Sequence, residues 1–135
     1  MDYRNIRIKV KKPLQSIKDK RGSIIDIFYK QKINHVAIID SKPNTLRGNH
    51  YHKKTIQHML ITQGSLEYWY KPLKKKTKAK KKLLRVGDLV STPPYEIHAL
   101  KITKEGNQFI VFTEGVRGGK DYEADTFRVP SIIND

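Results

Sequence analysis

Leu46-Arg47-Gly48-Asn49-His50-Tyr51-His52 sets two imidazoles two residues apart, with Gln57 and Gly64 following at short intervals and Pro93-Pro94 and His98 further on. Alternate residues of a β-strand point to one side, so His50 and His52 face one way and Tyr51 the other. A short turn at Lys53-Lys54-Thr55 brings the next strand back, with Gln57 near its start and beside the histidine pair. His98 arrives on a later strand through the rigid Pro93-Pro94 corner. This spacing is consistent with His50, His52, Gln57 and His98 converging in the mouth of a small β-barrel.

The rest of the chain supplies strands for such a barrel. Ile6-Arg7-Ile8-Lys9-Val10 alternates apolar and polar residues with the period of a half-buried strand. Ser23 to Tyr29 and His35 to Asp40 are β-branched runs bounded by turn-forming residues. Gln57 to Thr62 and Ser65 to Tyr70 flank Gln63-Gly64, which reads as a tight hairpin with Gly64 at positive φ. Leu83 to Val86, Asp88 to Ser91, His98 to Ile102 and Gln108 to Phe112 complete the set. No stretch sustains a helical apolar period over ten residues, so helices are single turns at most. Eight to ten short strands imply an antiparallel sandwich or barrel, in one domain spanning 1–135. The tail beyond Gly115 alternates less, and Phe127-Arg128-Val129 with Ile132-Ile133 is expected to pack across the barrel or against a second subunit.

The 135 residues suffice for a real core, and the absence of cysteine removes disulfides and thiolate chemistry. Met1 to Arg7 lacks the apolar centre of a signal peptide, and no run approaches the roughly 20 apolar residues of a membrane span. The expectation is a cytoplasmic protein with no membrane partner. The net charge of +15 suggests a polyanion partner, but its distribution argues against nucleic acid. Eight lysines crowd into 71–82 without an interleaved aromatic. Such a run repels itself and reads as an extended, solvated loop.

The pattern His50-x-His52-x4-Gln57-x6-Gly64, with Gly87-x5-Pro93-x4-His98 downstream, resembles the paired motifs of the cupin superfamily, which implies a small antiparallel jelly-roll β-barrel. In many cupins the matching positions hold a divalent metal, which here implies His50, His52, Gln57 and His98 as ligands. The sequence departs from the pattern at Gln57, where the family usually has Glu; a neutral amide is a weaker ligand than a carboxylate. Zinc, nickel, iron and manganese all suit three imidazoles and an amide. Leu46-Arg47-Gly48-Asn49-His50-Tyr51 also resembles a segment of the dTDP-4-dehydrorhamnose 3,5-epimerases, as does Pro93-Pro94-Tyr95-Glu96-Ile97-His98. The longer run through His52 and Lys53 is similar to the metal-independent dTDP-4-keto-6-deoxyhexose 3,4-ketoisomerases, and Asp19-Lys20-Arg21-Gly22 fits an element common to the group.

What this second resemblance implies is proton transfer beside a ketone without a cofactor. His50 is the expected base and His52 its partner, since imidazole serves as base and acid near neutral pH. Arg47 and Arg21 would hold the diphosphate of a nucleotide-sugar, and Tyr68 and Tyr70 would stack on the base or supply a hydroxyl. The resembling enzymes are homodimers that share sheets through their N-terminal strands. Three classes stay open: a sugar-nucleotide epimerase or ketoisomerase, a metal-dependent cupin acting as dioxygenase or small-molecule isomerase, and a non-catalytic cupin that binds a small anionic ligand. His35 and His58 fall outside the motifs and read as ordinary strand histidines.

Overall fold

A computed structural model describes residues 1–5 and 16–134, so the strand expected at Ile6 to Val10 lies outside the described residues. The elements in chain order are β1 (Asp2–Asn5), β2 (Ser16–Asp19), β3 (Gly22–Ile25), β4 (His35–Ser41), β5 (Leu46–Tyr51), β6 (Ile56–Pro72), β7 (Lys80–Arg85), β8 (Asp88–Thr92), β9 (Glu96–Glu114), a single 3-10 turn at Gly119–Asp121, and β10 (Phe127–Arg128). Every strand pairing is antiparallel. Among the described residues no helix is long and apolar enough to cross a membrane.

Two long strands organise the molecule. β6 and β9 pair from Ile56↔Glu114 to Pro72↔Glu96, with register shifts at Ile61/Gln63 and Gly64/Leu66. On one side of these shifts β6 takes β8 as its other neighbour and β9 takes β4. Beyond them β6 takes β7 and β9 takes β5. The same two strands therefore serve two half-sheets, and each half sends side chains into one core. Met59, Ile61, Val90, Phe109 and Val111 come from the first half; Leu66, Tyr68, Leu84, Leu100 and Ile102 come from the second. Burying each such side chain contributes about 1.5–3 kcal/mol.

The expected hairpin at Gln63-Gly64 is absent: the chain continues as one strand. Gly64 has the positive φ (67°) that the sequence suggested, but uses it for a bulge against β9. A Cβ on Gly64 would stand 2.0 Å from the Gly106 carbonyl oxygen, so only glycine lets the backbones approach this closely where the strands change partners. For the same reason His98 to Ile102 and Gln108 to Phe112, read as two strands, are parts of one. The run from Ser23 to Tyr29 is strand only to Ile25, where β3 pairs with β2 in a separate two-stranded sheet. The lysine-rich stretch divides: Lys80, Lys81 and Lys82 belong to β7 and lie opposite Tyr70, Trp69 and Tyr68. Lys81 pairs with Glu67 at 3.4 Å and covers the Trp69 ring, and Lys82 sits over the Tyr3 ring. Aromatic partners missing along the sequence are thus found across the sheet.

Candidate functional site

β5 brings the first histidines to the site by a tight approach to β9. A Cβ on Gly48 would lie 2.8 Å from the His98 carbonyl oxygen, and Gly48 has φ 89°. Asn49 follows in the left-handed region (φ 58°), which forms a bulge and sets His50 directly opposite His98. After β5 ends, the His52 carbonyl accepts a hydrogen bond from the Tyr95 amide at 2.8 Å, so the Pro93-Pro94 corner is tied to the first motif. Ring centroids are then 4.6 Å apart for His50 and His98, 4.9 Å for His50 and His52, and 5.2 Å for His52 and His98. Tyr51 points away and stacks on Phe127.

Hydrogen bonds fix which nitrogens face inward. His52 Nδ1 donates to the Asp125 carbonyl at 2.6 Å, which leaves a lone pair on Nε2 of the neutral ring, with Gln57 Oε1 placed 3.2 Å from it. The amide satisfies this lone pair when its nitrogen end faces the ring. His98 Nδ1 donates to the Glu96 carbonyl at 3.1 Å, so its Nε2 is also unprotonated. Both His98 Nε2 and His50 Nδ1 are buried without a partner. Asp125 is a second anchor: its carboxylate accepts the amides of Lys53 and Lys54 and the Thr55 hydroxyl. Burial works against this carboxylate, yet the three donors outweigh it and hold its pKa below the ordinary value.

All three imidazoles are held neutral. Burial first, then the neighbouring imidazoles of His98 and His52 and the guanidiniums of Arg117 and Arg128, push His50 down to about 2. Burial pushes His98 down to about 4 against the support of the Glu96 carbonyl, and lowers His52 as well. Neutral imidazoles are what both proton abstraction and metal ligation need. The ligand atoms of His50, His52 and His98 all lie within 4.8 Å of one another. Together with the two unpartnered nitrogens, that donor set fits a transition-metal ion; the Gln57 oxygen would be a weak fourth donor.

A cavity of about 380 Å³ opens over the cluster, lined by His50, Gln57 and His98, by apolar residues such as Met59, Leu100, Phe109 and Val111, and by Arg47, Arg117 and Arg128. Four of the expected site residues thus come together. Arg47 reaches the wall, but its guanidinium is bonded to Ser41 Oγ and the Asp40 carbonyl. Arg21 lies elsewhere, paired with Asp19 at 2.7 Å. Tyr68 and Tyr70 do not line this cavity. Tyr68 is fully buried, its ring stacked behind His98 and its hydroxyl bonded to Thr92 and donating to Glu96; burial, with the Glu96 charge, raises its pKa. Asn49, Arg117, Asp125 and Arg128 were missed in the sequence. A weak signal existed in Gly118-Gly119, the turn that sends the chain back after β9, and in the apolar residues around Arg128.

A family model described as the polysaccharide biosynthesis C-terminal domain matches residues 17–115. The chain belongs to that family. This polysaccharide biosynthesis C-terminal domain holds His50, His52, Gln57 and His98 within the matched span, whereas Arg117, Asp125 and Arg128 follow it. Its fold is that of the RmlC-like cupins. It is similar to a dTDP-4-dehydrorhamnose 3,5-epimerase from Sulfolobus tokodaii (TM-score 0.68, 18% identity, 88% of this chain and 76% of that one). It is similar also to a 3,4-ketoisomerase from Helicobacter canadensis (TM-score 0.67, 20% identity, 96% and 92%). A third similar structure is a mutant of the 3,4-ketoisomerase QdtA from Thermoanaerobacterium thermosaccharolyticum, in complex with TDP-4-keto-6-deoxyglucose (TM-score 0.66, 21% identity, 87% and 84%). At these identities the likeness is one of fold. No curated protein matches the chain.

Proposed function

We propose that this chain is a sugar-nucleotide epimerase or ketoisomerase that moves a proton beside the C4 carbonyl of a dTDP-4-keto-6-deoxyhexose-type substrate. The observation that carries the reading is the neutral imidazole cluster on the floor of an arginine-lined cavity. His50 takes the proton from the carbon next to the ketone, an enediolate forms, and the His50 imidazolium returns that proton to another carbon or the other face, directly or after passing it to the unprotonated Nε2 of His98. An imidazole at pKa 2 is too weak a base for this step. Burial is the first cause of that depression, and an anionic ligand beside Arg117 and Arg128 offsets only the two smallest causes, which shifts His50 upward in part. The test is solvent deuterium exchange into TDP-4-keto-6-deoxyglucose followed by NMR. Exchange should occur with the native chain and fall at least about a hundredfold in His50→Ala; exchange at the native rate in the variant, or none in the native chain, overturns the reading.

A second reading, a metal-dependent cupin, is supported by the unpartnered His50 Nδ1 and His98 Nε2 among donor atoms 4.8 Å or less apart. His50, His52 and His98 would hold the ion, which when bound supplies Lewis-acid polarisation of a ligand oxygen. Elemental analysis of protein purified without chelator decides: stoichiometric zinc, nickel, iron or manganese replaces the metal-free reading with this one. A chain that binds TDP, holds no metal and exchanges nothing is the non-catalytic binder.

A further inference from the structure

We propose that Arg117 and Arg128, both on the segment that follows β9, form the subsite for the diphosphate of a nucleotide-bound ligand. The proposal deepens the sugar-nucleotide reading and rests on it for the ligand's class. Both arginines line the same cavity as His50 and His98, and both charges act on His50; planar guanidinium groups match phosphate oxygens in a bidentate way. Of the two arginines expected from sequence to take this role, Arg21 is paired with Asp19 away from this cavity, and Arg47 lines it with Nε and Nη2 already donating to Ser41 Oγ and the Asp40 carbonyl.

Arg117 is the stronger half of the subsite. Its Nη1 donates to the Tyr122 carbonyl at 2.8 Å and contacts the Thr126 hydroxyl at 3.4 Å, which fixes one edge of the fork. Among the described residues it has no ion pair. Half-buried, it has its charge disfavoured by burial, partly offset by Glu123 and Tyr122, and further disfavoured by Arg128. A half-buried cation with no direct ion pair, its charge only partly balanced by Glu123 and set beside a second cation, favours an anion. Arg128 is paired at 2.9 Å with Glu123, which also borders the cavity, so Glu123 competes with any phosphate for it.

The segment is fixed before a ligand arrives. β10 pairs with His50 and Tyr51 of β5, Val129 N donates to the Asn49 carbonyl, and Ile132 N donates to Asn49 Oδ1, both at 2.9 Å. Lys53 covers the face of Phe127. Arg128 therefore stands directly across from His50 in the β-ladder, and little ordering remains for binding to impose.

The experiment is calorimetric titration of the full chain with TDP, inorganic diphosphate and thymidine. Arg117→Gln and Arg128→Gln should each weaken TDP and diphosphate at least about tenfold and leave thymidine unchanged, whereas Glu123→Gln should tighten both anions. Arg85→Gln, an equal change of charge on β7, should alter TDP binding less than about twofold. Native affinity in both cavity variants, or equal weakening by Arg85→Gln, overturns the subsite, as does a native chain that binds neither TDP nor diphosphate. Should Arg117→Gln not fold, Arg117→Lys keeps the charge without the fork and should still weaken diphosphate. Anion binding that responds as stated, with no deuterium exchange, leaves the subsite standing and removes the isomerase; exchange with an unchanged KM in both variants does the reverse.

Discussion

His52 is oriented by a residue 73 positions further along the chain, through the main-chain carbonyl of Asp125. The Asp125 side chain does a different task, clamping the turn at 53–55 with three accepted hydrogen bonds. Asp125→Asn keeps the carbonyl but weakens the clamp, so it should cost about 1–3 kcal/mol in urea unfolding. The buried imidazoles give stability its pH dependence. His50 and His98 stay neutral down to about 2 and about 4 in the folded chain, against 6.5 for the free side chain. The unfolded chain therefore binds more protons below pH 6.5, and the contribution present above that value is lost as pH falls toward 4. The unfolding free energy should be smaller at pH 5 than at pH 7, by up to about 1.4 kcal/mol per pH unit for each such histidine, and the melting temperature lower with it. His98→Asn should flatten the slope between the two pH values; an unchanged slope would refute the assignment.

At the scale of the element, the bend shared by β6 and β9 depends on the Gly64 contact with Gly106. Gly64→Ala adds a methyl where 2.0 Å is open and forces a side chain into positive φ, so it should cost about 3 kcal/mol or more, read from the denaturation midpoint. Here the limits of the sequence show. Runs rich in β-branched and apolar residues between turn residues located β4, β8 and parts of β6 and β9, because such residues fit a half-buried pleated surface. They did not record that Gln63-Gly64 lies inside a strand, since a bulge and a hairpin ask for the same glycine. In the candidate site, His50, His52, Gln57 and His98 were legible because they sit on neighbouring strands at motif spacing. Arg117, Asp125 and Arg128 were not, because they reach the site on a returning segment whose path no local period encodes.

For the whole molecule, charge is the dominant long-range quantity. With a net charge of +15, the folded chain repels itself, and exposed pairs such as Lys81 with Glu67 and Arg128 with Glu123 offset this only slightly. Screening should help the compact state. The melting temperature should rise between about 20 mM and about 300 mM sodium chloride, across which the Debye length shrinks severalfold; a fall would mean that local ion pairs outweigh the general repulsion.

The return of the chain after Glu114 has a consequence for synthesis, which runs from the N-terminus. When β9 has emerged from the ribosome, every strand of the core is present and can pair. Yet His52 still lacks the carbonyl that holds it, and the cavity still lacks two of its arginines. A nascent chain at that stage holds the residues of the core but not those of the whole cavity wall, which is completed only by the segment from Arg117 to Ile132.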